Sequence, residues 1–109
     1  MRVAGFGFRK GAGLGSFVAA LAGQRVDAVA TVDSKAGALQ VLGLPVIAVT
    51  RAALVAHDRP GSARVRALYG TGSVAESSAL AAAGAGAVLV SRNTSPDGRA
   101  VVAIAEGSE

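Results

Sequence analysis

The sequence predicts a single α/β domain of three layers, with helices on both faces of a mainly parallel sheet of about five strands. Apolar runs of strand length alternate with helical stretches through most of the 109 residues. This length suits one domain that buries a core without help from a metal or a disulfide. A turn rather than a helix separates the last two strand-like runs, which predicts an antiparallel hairpin at the C-terminal end.

The first half of the chain contains three predicted strands that alternate with two predicted helices. Gly23 and Gly43 follow the two helical stretches and act as stop signals. The second strand is almost entirely apolar, which is typical of a strand buried on both faces of a parallel sheet. The predicted elements are a strand over 2–8, a turn over 9–13, a helix over 14–22, a strand over 26–32, a turn over 33–35, a helix ending near 42 and a strand over 45–50.

The second half adds further helices and the two strands of the hairpin. Residues 64–68 fit either one helical turn or extended chain, and both alternatives stay open here. Pro96-Asp97-Gly98 is the strongest turn signal and lies between the hairpin strands. The predicted elements are a short helix over 51–57, a turn over 58–62, a glycine-rich loop over 70–73, a helix from about 74 to 83, a strand over 87–91, a turn over 93–98, a strand over 99–105 and a frayed tail over 106–109.

Composition and charge narrow the classes of function. The formal net charge is +4 and nine of the eleven basic residues are arginine, which favours an acidic partner. The basic residues are scattered and only 4% of the residues are aromatic, so nucleic acid is not expected as a partner. No apolar run approaches the roughly 20 residues of a membrane span, and none is expected. Cysteine is absent, which excludes disulfides and thiolate sites; a cytoplasmic location is expected.

The segment Gly70-Thr71-Gly72-Ser73-Val74-Ala75-Glu76 is the most informative stretch, because it runs directly into an alanine-rich helix. Ser73 with Glu76 three residues later is a capping-box pattern. The free N–H groups and the dipole of a helix N-terminus favour a bound carboxylate or phosphate. The alternative interpretation is that Ser73 and Glu76 only cap the helix and bind no ligand.

Polar and basic residues follow the first two predicted strands at their carboxyl ends, as Arg9-Lys10-Gly11 and Asp33-Ser34-Lys35. Ligands of open parallel sheets bind beyond these strand ends, so the two turns and the Gly70 loop would form one basic edge for an anionic ligand. Other interpretations remain: Arg9 and Lys10 as solvated turn residues, Asp33 or Ser34 as a helix cap, and Lys35 as an exposed lysine.

Motifs for other chemistries are missing. The chain has no Gly-Lys-Ser/Thr ending of a P-loop, and Gly5-Phe6-Gly7 lacks the third glycine of a dinucleotide fingerprint at the required spacing. There is no zinc motif and no serine–histidine–acid set. The sequence therefore predicts neither a metal nor a cofactor.

Several segments, in this order, resemble one known family. They are Gly5-Phe6-Gly7-Phe8-Arg9-Lys10-Gly11, Thr31-Val32-Asp33-Ser34-Lys35, the Gly70–Glu76 segment, Ala79-Leu80 and Gly84-Ala85-Gly86-Ala87-Val88-Leu89-Val90. Together they are similar to the CobE family, which is also the C-terminal domain of the cobalamin-biosynthesis protein CbiG. The resemblance covers nearly the whole chain, so residues 1–109 are expected to form one domain of this kind.

The resemblance implies a role in corrin-ring formation on the way to vitamin B12. CbiG proteins open a lactone on a cobalt-precorrin and release a two-carbon aldehyde, whereas the stand-alone form belongs to the aerobic route. Corrin precursors carry many carboxylates around a flat apolar ring, which suits an arginine-rich edge and a helix N-terminus. The expected function is thus binding of a precorrin or corrinoid intermediate. The residues predicted to bind it are Arg9, Lys10, Gly11, Asp33, Ser34, Lys35, Gly70, Thr71, Gly72, Ser73, Val74 and Glu76.

Two alternatives remain at this stage. The domain could itself hydrolyse a precorrin lactone, with Asp33 or Glu76 as the base that activates water and Lys35 or backbone N–H groups as donors to the oxyanion. It could instead be an interaction module for other cobalamin-pathway enzymes that handles no ligand. Stable complexes without corrinoid affinity would distinguish the interaction module.

Overall fold

The computed structural model describes residues 1–107, which form an α/β domain around one five-stranded sheet. The strands are β1 (Arg2–Phe8), β2 (Ala28–Val32), β3 (Val46–Val49), β4 (Val88–Thr94) and β5 (Ala100–Glu106). The helices are α1 (Leu14–Leu21), a 3-10 helix (Asp33–Leu42), α2 (Arg51–Ala56), α3 (Ala63–Tyr69) and α4 (Val74–Ala83).

The strand order in the sheet is β3-β2-β1-β5-β4. Strands β1, β2 and β3 are mutually parallel, whereas β5 is antiparallel to both β1 and β4. Strand β4 consequently points in the same direction as β1, so four of the five strands share one direction. The prediction of a mainly parallel sheet with a C-terminal antiparallel hairpin is confirmed.

Helices cover both faces of the sheet, which gives the predicted three layers. Side chains of β1 alternate between the faces, with Phe6 in one core and Val3 in the other. On the first face, Phe17 of α1 and Leu39 of the 3-10 helix complete a buried cluster. On the second face, Leu54 of α2 and Val74 of α4 are buried against the strands.

A close contact between β1 and α4 fixes the second layer. A side chain at Gly5 would place its Cβ 2.0 Å from the carbonyl oxygen of Ala75 and 2.6 Å from the amide nitrogen of Ala79. Only a glycine in β1 and small residues on α4 permit this approach. The N-terminus of α4 is thereby held at the carboxyl end of β1, where the candidate site lies.

The structure corrects several details of the sequence-based interpretation. The helix after β2 is a 3-10 helix that begins at Asp33 itself, so its N-cap position falls on Val32, which has no side-chain acceptor. The proposed capping role of Asp33 or Ser34 is therefore wrong. Residues 64–68 are helical, within α3. Glu106 belongs to β5 and pairs with Arg2 rather than fraying, and residues 108–109 lie outside the described part.

Within residues 1–107, no helix combines the length and the apolar character needed to cross a membrane.

Candidate functional site

A cleft of about 610 Å³ opens at the carboxyl edge of the parallel strands. Strands β1 and β2 end there, and the turn between β4 and β5 returns to the same edge because of the antiparallel hairpin. Helix α3 and the N-terminus of α4 form the other side. The edge that the sequence analysis selected is thus a concave surface, which we call the cationic cleft.

The charge of this cleft has one sign. Among the described residues that line it there is no carboxylate and no imidazole. Six of the eleven cations of the chain line it, namely Arg9, Lys10, Lys35, Arg64, Arg92 and Arg99. Cations collected in a concave surface reinforce one another's field, so an anionic ligand is attracted.

Two of these arginines are adjacent because of the sheet. The amide nitrogen of Arg9 donates to the carbonyl oxygen of Arg99 at 2.9 Å, which extends the β1–β5 pairing by one step. Both side chains are exposed, and neither forms an ion pair within residues 1–107. The two guanidinium groups are therefore accessible to a ligand.

Lys35 approaches the cleft from the 3-10 helix and is half-buried. Its Nζ donates to the carbonyl oxygen of Phe8 and lies 4.8 Å from the centroid of the Phe8 ring. The same nitrogen lies 5.7 Å from the centroid of the Tyr69 ring on α3. Lys35 thus places its charge between the end of β1 and the wall formed by α3.

In the loop before α4, two glycines permit the backbone conformation and Thr71 forms buried hydrogen bonds. Gly70 ends α3 with φ +78, a left-handed conformation that favours glycine. A Cβ at Gly72 would lie 2.5 Å from the carbonyl oxygen of Arg59, so only glycine permits this backbone contact. Thr71 is fully buried, and its Oγ1 accepts from the amide of Ser73 and is hydrogen-bonded to Ser77 Oγ at 2.7 Å.

Ser73 is the N-cap of α4, as predicted, because its Oγ accepts from the amide of Glu76 at 3.3 Å. The reciprocal half of the capping box is missing, since the amide of Ser73 is bonded to Thr71. The Glu76 carboxylate instead lies 3.9 Å from Arg59 Nε and 4.0 Å from Arg92 Nε. Glu76 therefore balances two arginines near the cleft without lining it.

Backbone N–H groups at the start of α4 also face this site. The amide of Gly72 donates to Asp58 Oδ1 at 3.1 Å and is therefore occupied. Within residues 1–107, the amides of Val74 and Ala75 have no acceptor, and both residues line the cleft. Gly7 leaves them accessible, since a Cβ there would lie 3.5 Å from the Ala75 nitrogen.

Asp58 fixes the loop from outside the cleft. The side-chain hydrogen bond from Arg66 and then the amide of Gly72 lower the pKa of Asp58 from 3.8 to about 2. The Arg66 guanidinium also pairs with this carboxylate. One carboxylate thus joins α3 to the loop that precedes α4.

The structure brings half of the predicted binding residues together. Those lining the cleft are Arg9, Lys10, Lys35, Gly72, Ser73 and Val74. Those outside its lining are Gly11, Asp33, Ser34, Gly70, Thr71 and Glu76. Asp33 and Ser34 are exposed, whereas Thr71 is buried within the loop. The roles assigned to all twelve residues stay predictions.

The sequence-based prediction of the site missed three cations and two glycines of the cleft. Arg99 directly precedes β5, and it lies at the carboxyl end of β1 because β5 is antiparallel to β1, a pairing that the sequence analysis did not predict. Arg92 required the position of the β4–β5 hairpin beside β1, and Arg64 required the packing of α3, neither of which the sequence indicates. Gly7 lies in a segment that carries the family resemblance and in a nucleotide motif that the glycine spacing rejects, and Gly98 lies in the predicted turn of the hairpin; neither signal indicates a ligand contact.

Within residues 1–107, no three carboxylate or histidine side chains lie close enough to hold a metal ion. The cleft offers cations and backbone N–H donors, which can bind carboxylate or phosphate groups. This arrangement belongs to α/β proteins that place a ligand cleft at the carboxyl edge of a parallel sheet.

The family described as "Cobalamin synthesis G C-terminus" matches residues 2–105. The chain belongs to this family and is a protein of the cobalamin biosynthesis pathway, which confirms the resemblance found in the sequence. No curated protein sequence matches the chain.

Two solved structures are similar over nearly the whole fold. One is CobE, a protein from the cobalamin (vitamin B12) biosynthetic pathway, with a TM-score of 0.74 and 26% identity; the match covers 96% of this chain and 92% of CobE. The other is the cobalamin biosynthesis protein chiG from Agrobacterium tumefaciens str. C58, with a TM-score of 0.71 and 34% identity over 100% of both chains.

Proposed function

We propose that this protein binds a polycarboxylate precorrin or corrinoid intermediate of the cobalamin pathway in the cationic cleft. The observation that carries the proposal is the clustering of six cations in one cleft whose described lining has no carboxylate. Membership of the cobalamin family supplies the class of ligand. A corrin precursor has acetate and propionate groups around its ring, so several cations can each meet a carboxylate.

The binding roles divide between fixed and mobile groups. Arg9 and Arg99 are exposed and would follow the ligand's carboxylates, forming two-pronged hydrogen bonds. Lys35 and the amides of Val74 and Ala75 are held by the fold and would meet a carboxylate without rearrangement. The fixed donors favour one orientation of the ligand, and the mobile arginines add affinity.

The test is a titration of the purified protein with cobyrinic acid, a corrin with free side-chain carboxylates, and with its methyl ester. We expect saturable binding of the acid, weakened by salt, and much weaker binding of the ester, which lacks the charges. Removing one arginine that binds a carboxylate should reduce the affinity by at least about tenfold, since charge-assisted hydrogen bonds contribute about 1.5–3 kcal/mol.

The matched variants are Arg9→Ala with Arg99→Ala, and Arg25→Ala as the control. Arg25 precedes β2 at the opposite edge of the sheet and does not line the cleft. The double variant should lose affinity and have a smaller salt dependence, whereas Arg25→Ala should bind as the unaltered protein does. Equal binding of the acid and the ester, or equal weakening in the double variant and Arg25→Ala, would overturn the proposal.

We also propose that the protein interacts with other enzymes of the cobalamin pathway. In addition, we propose the cytoplasmic location that the sequence analysis expects. Co-purification from cells that express the pathway, with and without the double variant, tests the first. Fractionation of the same cells tests the second.

A further inference from the structure

Helix α3 is the least buried element that lines the cleft. None of its seven residues is buried. Val65 and Tyr69, one turn apart, pack partly against the second core and attach the helix to the domain. Leu68 also lines the cleft and remains 54% exposed. A large apolar side chain therefore faces the cleft without cover from the described protein.

The lining of the cleft is apolar as well as cationic. Besides the cations, apolar or aromatic side chains line it, namely Phe8, Val65, Leu68, Tyr69, Val74 and Val101. A small polyanion such as citrate has no surface that would gain from these groups. A ligand with an apolar face and charges at its periphery would use both kinds of lining.

The position of α3 is fixed by polar contacts at both ends. Its N-cap Ser62 donates its amide to the carbonyl oxygen of Gly72 at 2.9 Å, and its side chain accepts from the amide of Val65. At the other end, Arg51 Nη1 donates to the carbonyl oxygen of Leu68 at 2.8 Å. These contacts hold the wall in place before a ligand arrives, which reduces the ordering cost of binding.

Resting on the proposed function, we infer that α3 is the wall against which the ring face of the ligand packs. Leu68 is the residue that distinguishes ring-bearing polycarboxylates from small polyanions. Arg64, which precedes Leu68 by one helical turn and lines the same cleft, meets a carboxylate at the edge of that ring. Specificity thus depends on α3, and charge attraction depends on the whole cleft.

The experiment compares two probes on the full chain: uroporphyrin, a flat macrocycle with peripheral carboxylates, and citrate. Leu68→Ser should weaken uroporphyrin binding by about tenfold, because the ring no longer packs against a leucine side chain. Citrate binding should change by less than about twofold, because neutral substitution leaves the charges intact. Val41→Ser is the control, since Val41 is 52% exposed on the 3-10 helix and does not line the cleft.

The outcomes separate this inference from the proposed function. Unchanged uroporphyrin binding in Leu68→Ser, or equal weakening of both probes, overturns the role of α3. Leu68→Met, which keeps an apolar side chain, should restore uroporphyrin binding; failure to do so also overturns it. If the Arg9→Ala and Arg99→Ala double variant binds both probes normally, or if the unaltered protein binds neither, the proposed function fails as well.

Discussion

The Nζ of Lys35 donates a hydrogen bond to the carbonyl oxygen of Phe8, the last residue of β1. The lysine thereby joins the end of β1 to the start of the 3-10 helix that follows β2. Because a half-buried lysine needs an acceptor, the strand end fixes where this charge lies. Lys35 should therefore contribute to stability as well as to the charge of the cleft.

Replacing Lys35 by methionine keeps the apolar stem and removes the charge. We expect the free energy of unfolding to fall by about 1–2 kcal/mol, because the variant can form neither the charge-assisted hydrogen bond nor the cation–π interaction with the Phe8 ring. Urea unfolding measures the change. Lys10→Met is the matched control, since Lys10 is exposed, and should change stability by less than about 0.5 kcal/mol. Equal stability of the two variants would contradict the structural role of Lys35.

A side chain at Gly5 should disrupt the contact between β1 and α4. In Gly5→Ala the new Cβ would meet the Ala75 carbonyl oxygen at 2.0 Å, and backbone atoms cannot move aside cheaply. We expect destabilisation of about 3 kcal/mol or more. Gly15→Ala in α1 is the control, because no atom outside the helix backbone lies within 4 Å of the Cβ that this alanine would add. It should stabilise the protein by about 0.5 kcal/mol, and thermal unfolding separates the two variants.

The accuracy of the sequence-based prediction depended on how local each signal was. The bounds of β1 followed from a strand-length run that ends at the basic, glycine-rich turn, and those of α4 followed from the Ser73 cap and the glycines after the helix; these are local features, and both elements were predicted correctly. The bulged register of β4 between Leu89 and Ser91 depends on its pairing with β5, so the sequence placed this strand only approximately. The 3-10 geometry of residues 33–42 carries no local signature that separates it from an α-helix.

In the candidate site, too, features with a local sequence signal were predicted and features that depend on long-range contacts were not. Arg9 and Lys35 could be placed at one edge, because residues that follow parallel strands must meet there. The long-range contacts could not be predicted from the sequence. Thr71 illustrates this, since its hydroxyl is buried within the loop through contacts with Ser77 and Arg59, both of which lie outside its own motif.

The Thr71 hydroxyl should stabilise the loop that precedes α4. Its Oγ1 accepts from the amides of Arg59 and Ser73 and is hydrogen-bonded to Ser77. Thr71→Val keeps the shape but leaves buried polar groups without a partner, so we expect destabilisation of about 2 kcal/mol. Thr71→Ser keeps the hydroxyl and should cost about 1 kcal/mol for the missing methyl group. Chemical denaturation measures both, and an equal or larger destabilisation in Thr71→Ser would contradict this account.

Asp97 should make stability depend on pH at the acid end. Hydrogen bonds from the Ser16 hydroxyl, the Ser95 hydroxyl and the amide of Arg99 lower the pKa of Asp97 from 3.8 to about 2. The folded state therefore binds this proton less readily than the unfolded state. The stabilisation is present above about pH 4 and is lost as the pH falls through about 2.

Asp97→Asn should remove the part of the pH dependence of stability that arises from Asp97. The remaining dependence arises from other carboxylates, chiefly Asp58, whose pKa is also lowered to about 2. The measurement is the urea midpoint between about pH 4 and pH 2. Asp33→Asn is the control, since Asp33 is exposed and its side chain has no hydrogen-bond partner within residues 1–107. Parallel curves for Asp97→Asn and the unaltered protein would show that the turn does not hold an ionised Asp97.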